Sequence, residues 1–246
     1  MEDLHYWETK FEPCCYSERL LGKISLLNKQ VPHYTKVNLL EIKKAIYYAK
    51  KYHGSQKRES GEPYYYHPLE VAYLVSNHLF ETNAIVTSVL HDTVEDTVLT
   101  KDMIGIIFNQ IVAEQVEDLT RVKLNQKISS SDIVTLLIQH KKYEALIIKE
   151  FDRLHNMQTI KAKSPEKQQK IILETLETFL PLAAYLRMPM LEEELSALCI
   201  HTNLSRQGLR LLRNRPKFSF QGSYQPPSLD FQNATIQQYI QKVLGS

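Results

Sequence analysis

A chain of 246 residues, 43% apolar and 24% charged, has the size and composition of one globular, enzyme-sized domain with appendages. Its formal net charge of +2 excludes a strong general pull toward nucleic acid or membrane, while local basicity can still attract a phosphorylated small molecule. Seven glycines are few for a strand-and-turn architecture and point to an all-α protein of long helices. The three cysteines, Cys14, Cys15 and Cys199, make no disulfide framework and read as reduced thiols of a cytoplasmic protein. The N-terminal stretch has neither the basic nor the apolar region of a signal peptide, and no apolar run has the length of a membrane span.

Residues 1–36 read as an irregular or partly helical N-terminal extension, 37–190 as the main helical domain, and 191–246 as a C-terminal helix with a proline-containing tail. From the capping residue Asn38, apolar side chains at Leu39, Ile42, Ile46 and Ala49 predict a helix running to about His53. A turn over Gly54 to Tyr66 follows. Pro68 suits the first position of the next helix, with His67 at its cap. Thr82 and Asn83 start another, apolar at Ile85, Val86, Val89 and Leu90 and continuing through His91 to Asp96. Further helices are expected at 101–118, 131–139 and 143–160, and Ser164-Pro165-Glu166 starts a long one. An amphipathic helix fits 191–213. Pro216, Pro226 and Pro227 then mark a loop or tail, with a short helix closing the chain at 235–244.

The chemistry concentrates in His91-Asp92-Thr93-Val94-Glu95-Asp96. At about 100° per residue on a helix, Glu95 stands one turn from His91, and Asp96 one turn from Asp92. Burying these groups without a cation is costly, so a divalent ion is the natural occupant, with a mixed nitrogen and oxygen ligand set suited to Mn, Fe or Zn. A solvated acidic helix face is the plainer alternative, and a two-residue His-Asp pair by itself does not decide between them. In Phe151–Thr159, Asp152, Asn156 and Thr159 fall at i, i+4 and i+7, which sets an acid, a carboxamide and a hydroxyl on one stripe. Asp152 paired to an arginine is the alternative there. The loop from Arg58 to Pro68 carries a guanidinium suited to a base or a phosphate, and three tyrosines of which two read as packing.

Together, His53-Gly54 with Gln56 and Arg58, Ser60-Gly61-Glu62-Pro63-Tyr64, His67-Pro68, the segment from Leu90 to Thr97, Phe151 to Thr159, and Glu174 to Ala183 resemble the hydrolase domain of the RelA/SpoT family. The likeness runs in order from about Leu40 to Leu186. It implies an HD-domain helical bundle with a C-terminal helical extension, acting in the stringent response as a 3′-pyrophosphohydrolase of the guanosine alarmones ppGpp and pppGpp. It implies one Mn²⁺ ion held by His67, His91, Asp92 and Asp152, with Glu95 and Asp96 orienting or activating the attacking water. Arg58 and Ser60 then match positions near the guanine base, Asn156 and Thr159 positions at the nucleoside and the reacting end, and His53 a position supporting the site from behind. Lys57, Arg58, Lys123 and Arg153 are basic candidates for phosphate.

The sequence departs from the family pattern at Glu59, where a lysine is common, at Glu150, where a small or apolar residue is expected, and in a shorter segment over Asn125–His140. No synthetase module follows, which reads as a hydrolase-only form. Two alternatives stay open: an HD-fold phosphatase acting on another nucleotide such as NADPH or a deoxynucleotide, and a non-catalytic alarmone-binding regulator. The expected partner is a guanine nucleotide, with no nucleic acid and no membrane, and the C-terminal region leaves room for a homo-oligomer or protein contact.

Overall fold

Apolar residues at three- and four-residue spacing become helix along most of the chain. The computed structural model describes residues 6–202 apart from 121, 124 and 125. The helix expected at 235–244, the proline-bearing tail and the part of the 191–213 helix beyond 202 lie outside the described residues, as do the N-terminal residues 1–5. By its contacts the chain divides into two compact units. One comprises the residues up to Arg58 together with Glu62–Ile128; the other comprises Glu59–Gly61 and the chain from Ser129.

In the first unit, α1 (Cys15–Asn28), α2 (Leu39–His53), α3 (Tyr66–Val75), α4 (Thr82–Leu90), α5 (Thr93–Asp96), α6 (Lys101–Ile107) and α7 (Gln110–Leu119) precede a two-residue antiparallel pair, β1 (Val122–Lys123) with β2 (Gln126–Lys127). Asn38 caps α2, its side-chain oxygen accepting from the amides of Leu40 and Glu41. Ile42, Ala45, Ile46, Ala49 and His53 fall on its buried side, and Gly54 leaves the helix at φ +52°. Every residue of α4 from Ala84 to Leu90 is buried, so this helix is the central one, packed on α2, α3 and α7. Its C-terminus therefore delivers His91 into the interior.

Three boundaries differ from the sequence expectation. The helix from Thr82 does not run to Asp96: it ends at Leu90 and resumes at Thr93. Local side chains take the carbonyls that a continuous helix would use. His91 Nδ1 donates to Ser88 O at 2.8 Å and the Thr93 hydroxyl to Leu90 O at 2.6 Å. The 101–118 segment divides at Phe108, because Asn109 adopts an extended cap and accepts from Val112 N to start α7. α3 begins at Tyr66, with His67 and Pro68 inside its first turn, since amides of Tyr66 and His67 already bond back to the carbonyls of Pro63 and Tyr64.

The second unit contains α8 (Ser130–Gln139), α9 (Tyr143–Gln158), α10 (Pro165–Glu174), a π turn over Thr175–Phe179, α11 (Leu180–Tyr185) and α12 (Pro189–His201). Ser129 and Asp132 cap α8 reciprocally, and Ser164 accepts from Lys167 N to cap α10 with Pro165 in its first turn. The long helix expected from Ser164 is interrupted by the π turn. Pro181 supplies the cause: it has no amide for the carbonyl of Glu177, and its ring crowds that carbonyl. α9 packs against α8 and α12 and is buried almost all round, including Lys149, Glu150 and Arg153. The helical fold class read from the sequence holds, and among the described residues no helix is long and apolar enough to cross a membrane.

Candidate functional site

Within the first unit, the break between α4 and α5 sets the geometry. His91, at the end of α4, and His67, in the first turn of α3, are each 2% exposed, with ring centroids 5.3 Å apart. Because His91 Nδ1 faces the carbonyl of Ser88, its Nε2 is the nitrogen left with a lone pair. The Asp92 carboxylate stands 3.1 Å from His91 Nε2 and 3.6 Å from His67 Nε2. Two imidazoles and a carboxylate thus converge, two of them from the sequence neighbours His91 and Asp92.

Beside them, Tyr64 Oη donates to Asp96 Oδ2 at 2.8 Å and lies 3.2 Å from Asp92 Oδ2. Gln56 Nε2 donates to the backbone carbonyl of Asp96 at 2.8 Å, and its Oε1 meets His53 Nδ1 at 2.8 Å. His53 is buried and stacked on the Tyr64 ring, and that burial holds its pKa below the ordinary imidazole value. The Asp96 carboxyl is raised from the ordinary range, chiefly by burial, with Asp92 and Glu95 adding repulsion and the Tyr64 hydrogen bond opposing them. Burial and the two neighbouring acids also push the Tyr64 phenol far up, so it stays protonated.

Within the second unit, Asp152 sits in the middle of α9. Its Oδ2 accepts from Lys149 Nζ at 3.0 Å and its Oδ1 from Asn156 Nδ2 at 2.6 Å, so the expected i, i+4 stripe is real and the counter-charge is a lysine, not an arginine. Thr159 ends α9, its hydroxyl donating to the His155 carbonyl at 2.9 Å. Arg153 pairs with Glu174 and lies over the Phe179 ring. Glu59 accepts from Lys167 at 2.7 Å, with Lys163 4.0 Å away. Ser60 is exposed beside Gly61, which turns at φ +88°. In the first unit, Arg58 N donates to Glu62 O, and its guanidinium is 5.8 Å from the Tyr64 ring centroid. The side chain of Lys123 lies outside the described residues.

In the first unit the two imidazoles are buried with the Asp92 carboxylate 3.1 and 3.6 Å from their Nε2 atoms, and in the second unit the Asp152 side chain is 13% exposed. Imidazole nitrogens with carboxylate oxygens at that spacing suit a divalent cation. Sequence reasoning missed Tyr64 and Gln56 as participants. Tyr64 stands beside two packing tyrosines in sequence, and the fold brings it to Gln56 through the bond from Tyr64 N to Gln56 O across the turn and through His53, which touches both.

The HD domain family matches residues 45–188. The chain is 37% identical over 168 residues to the GTP pyrophosphokinase rsh of Brucella ovis, covering 66% of this chain and 22% of that protein. It is 36% identical over 181 residues to the guanosine-3′,5′-bis(diphosphate) 3′-pyrophosphohydrolase of Aquifex aeolicus, covering 71% of this chain and 26% of that one. The chain thus spans about a quarter of the length of these curated relatives. A solved structure of a metazoan ortholog of SpoT, described as hydrolysing ppGpp and playing a role in starvation responses, is similar in fold. Its TM-score is 0.54 at 21% identity, over 67% of this chain and 97% of that one. The chain belongs to the HD domain family, and the resemblance to RelA/SpoT hydrolase domains read from its motifs holds.

Proposed function

We propose that the chain is a metal-dependent hydrolase that removes the 3′-pyrophosphate of guanosine alarmones, converting ppGpp or pppGpp to GDP or GTP plus pyrophosphate. The observation that carries this reading is the gathering of buried His67 and His91 around the Asp92 carboxylate, with Asp96 alongside. The Aquifex relative named for this activity supports the choice of substrate.

In this reading His67, His91, Asp92 and Asp152 hold one ion, Mn²⁺. When bound, such an ion acidifies water and offsets charge on phosphate oxygens. Asp96 or Glu95 orients the attacking water and takes its proton. The water oxygen bonds to the phosphorus attached to the 3′ oxygen, the bond from that phosphorus to the 3′ oxygen breaks, and its electron pair leaves on the nucleoside oxygen. Asn156, held by Asp152, and Thr159 meet the nucleoside and the reacting end, while Arg58 and Ser60 meet the guanine. His53 backs the Tyr64 ring. Three free cysteines are consistent with a cytoplasmic protein.

Incubation with ppGpp and Mn²⁺ tests the proposal. Pyrophosphate and GDP are expected, release stops with chelator, and NADPH and deoxynucleotides turn over far more slowly. Faster turnover of another nucleotide, or none of ppGpp, overturns the substrate assignment.

A further inference from the structure

Three tyrosines follow Pro63, and their surroundings differ. Tyr65 is buried with its ring centroid 4.8 Å from that of Tyr66, and Tyr66 lies on Tyr16 at 4.3 Å. These are packing contacts. Tyr64 instead directs its phenol at two acids of the α4–α5 break, Asp96 at 2.8 Å and Asp92 at 3.2 Å. A phenol has one proton, so the shorter contact receives it and the Asp92 oxygen sits at the outer limit of reach.

The ring behind that hydroxyl is held in place. It stacks on His53 at 4.7 Å with 25° between planes. His53 Nδ1 meets Gln56 Oε1 at 2.8 Å, and Gln56 Nε2 donates to the Asp96 carbonyl at 2.8 Å. The chain of contacts therefore starts at the Asp96 side chain and returns to the Asp96 backbone. A closed polar circuit of this kind fixes both a carboxylate and the turn that carries it. Hydrophobic packing of a ring does not require a hydroxyl aimed at two carboxylates.

We propose that Tyr64 is a positioning residue, whose hydroxyl holds Asp96 in the orientation that receives the proton of the attacking water and braces Asp92 beside the imidazoles. The assignment rests on the reading of Asp92 as a metal ligand and Asp96 as a base. Asp96 is anchored through its side chain by Tyr64 and through its main chain by Gln56.

Tyr64→Phe keeps the ring against His53 and deletes only the hydroxyl; Tyr65→Phe makes the same change in a packing tyrosine. Loss of an outer partner of metal ligands and bases costs about 10–100-fold in metal affinity or activity. Tyr64→Phe is expected to lower kcat on ppGpp by that factor with KM within about threefold, and to raise the Mn²⁺ dissociation constant measured by calorimetry. Tyr65→Phe should leave both near wild type, with all three proteins giving the same circular dichroism. A fall in kcat alone assigns the role to Asp96, and weaker Mn²⁺ binding alone assigns it to Asp92. Tyr64→Phe matching wild type in both measurements overturns the proposal, as does an equal loss in Tyr65→Phe. Should wild type release no pyrophosphate from ppGpp, the substrate reading fails, while the ratio of Mn²⁺ dissociation constants still decides whether Tyr64 braces the ligand set.

Discussion

Asp92 and Asp152 are mounted in opposite ways. Asp92 lies in the first unit where α4 has ended and α5 has not begun, and imidazoles and a phenol surround it. Asp152 lies within α9 of the second unit and takes Lys149 and Asn156 from its own helix. At the break two sequence neighbours, His91 and Asp92, converge on one point, with both backbones still in the right-handed helical region. The continuous helix delivers a single carboxylate together with its counter-charge. One mount gathers acids toward which a cation is drawn; the other presents an acid whose charge is already answered.

Substitutions at the two mounts should produce the largest effects, and different ones. His91→Ala and Asp152→Asn are both expected to reduce Mn²⁺-dependent ppGpp hydrolysis to background while the helical circular dichroism persists. Full activity in either breaks the ligand assignment. Asp152→Ala should separate the mounts further, because it leaves the buried Lys149 ammonium without the carboxylate it meets at 3.0 Å. Breaking a buried pair in this way costs about 3 kcal/mol. Asp152→Asn retains an oxygen acceptor and should lose much less in urea melts. Equal stability of the two variants would show that Lys149 does not depend on Asp152.

A second contrast lies inside α9 itself. Glu150 is fully buried, and among the described residues no hydrogen-bond partner reaches either of its carboxyl oxygens. Burial raises its pKa well above 4.5 against the opposing charge of Arg153. A buried polar group left unsatisfied costs about 1–3 kcal/mol. Glu150→Leu is therefore expected to stabilise the protein by about that amount, with Glu150→Gln gaining less. A less stable Leu variant in denaturant melts would mean that Glu150 contributes an interaction that outweighs its burial.

How much of this was legible in the sequence depends on whether a signal was local. Asn38 and Ser164 announced their helices because a cap acts on amides two or three residues away. Asp152 and Asn156 could be placed on one stripe because α9 is regular there. The break after Leu90 was not legible from apolar spacing, because it depends on His91 Nδ1 and the Thr93 hydroxyl capturing carbonyls of Ser88 and Leu90. Those same residues read as ordinary helix. Pro181 did carry a local signal for the π turn, which the strong apolar periodicity around it obscured. Tyr64 could not be separated from Tyr65 and Tyr66, since what sets it apart is a partner 32 residues later, Asp96, that meets it only in the folded chain.

Glu59 offers the smallest effect and the finest test of how charge is answered in the second unit. A lysine at this position was the expectation from the family pattern, yet the glutamate here meets Lys167 at 2.7 Å and approaches Lys163. The substitution thus comes with cations that answer it, much as Lys149 answers Asp152. The difference is exposure: the Lys167 side chain is 62% exposed and that of Glu59 is 40% exposed, so solvent screens the pair. Glu59→Gln should change stability by no more than about 0.5 kcal/mol, and that difference should vanish in high salt. Glu59→Lys places a third ammonium beside two others and should destabilise slightly more at low salt, again recovering as salt rises. A loss that persists in high salt would instead identify Glu59 as a buried-type partner like Asp152, and the contrast between screened and enclosed acids in this unit would have to be redrawn.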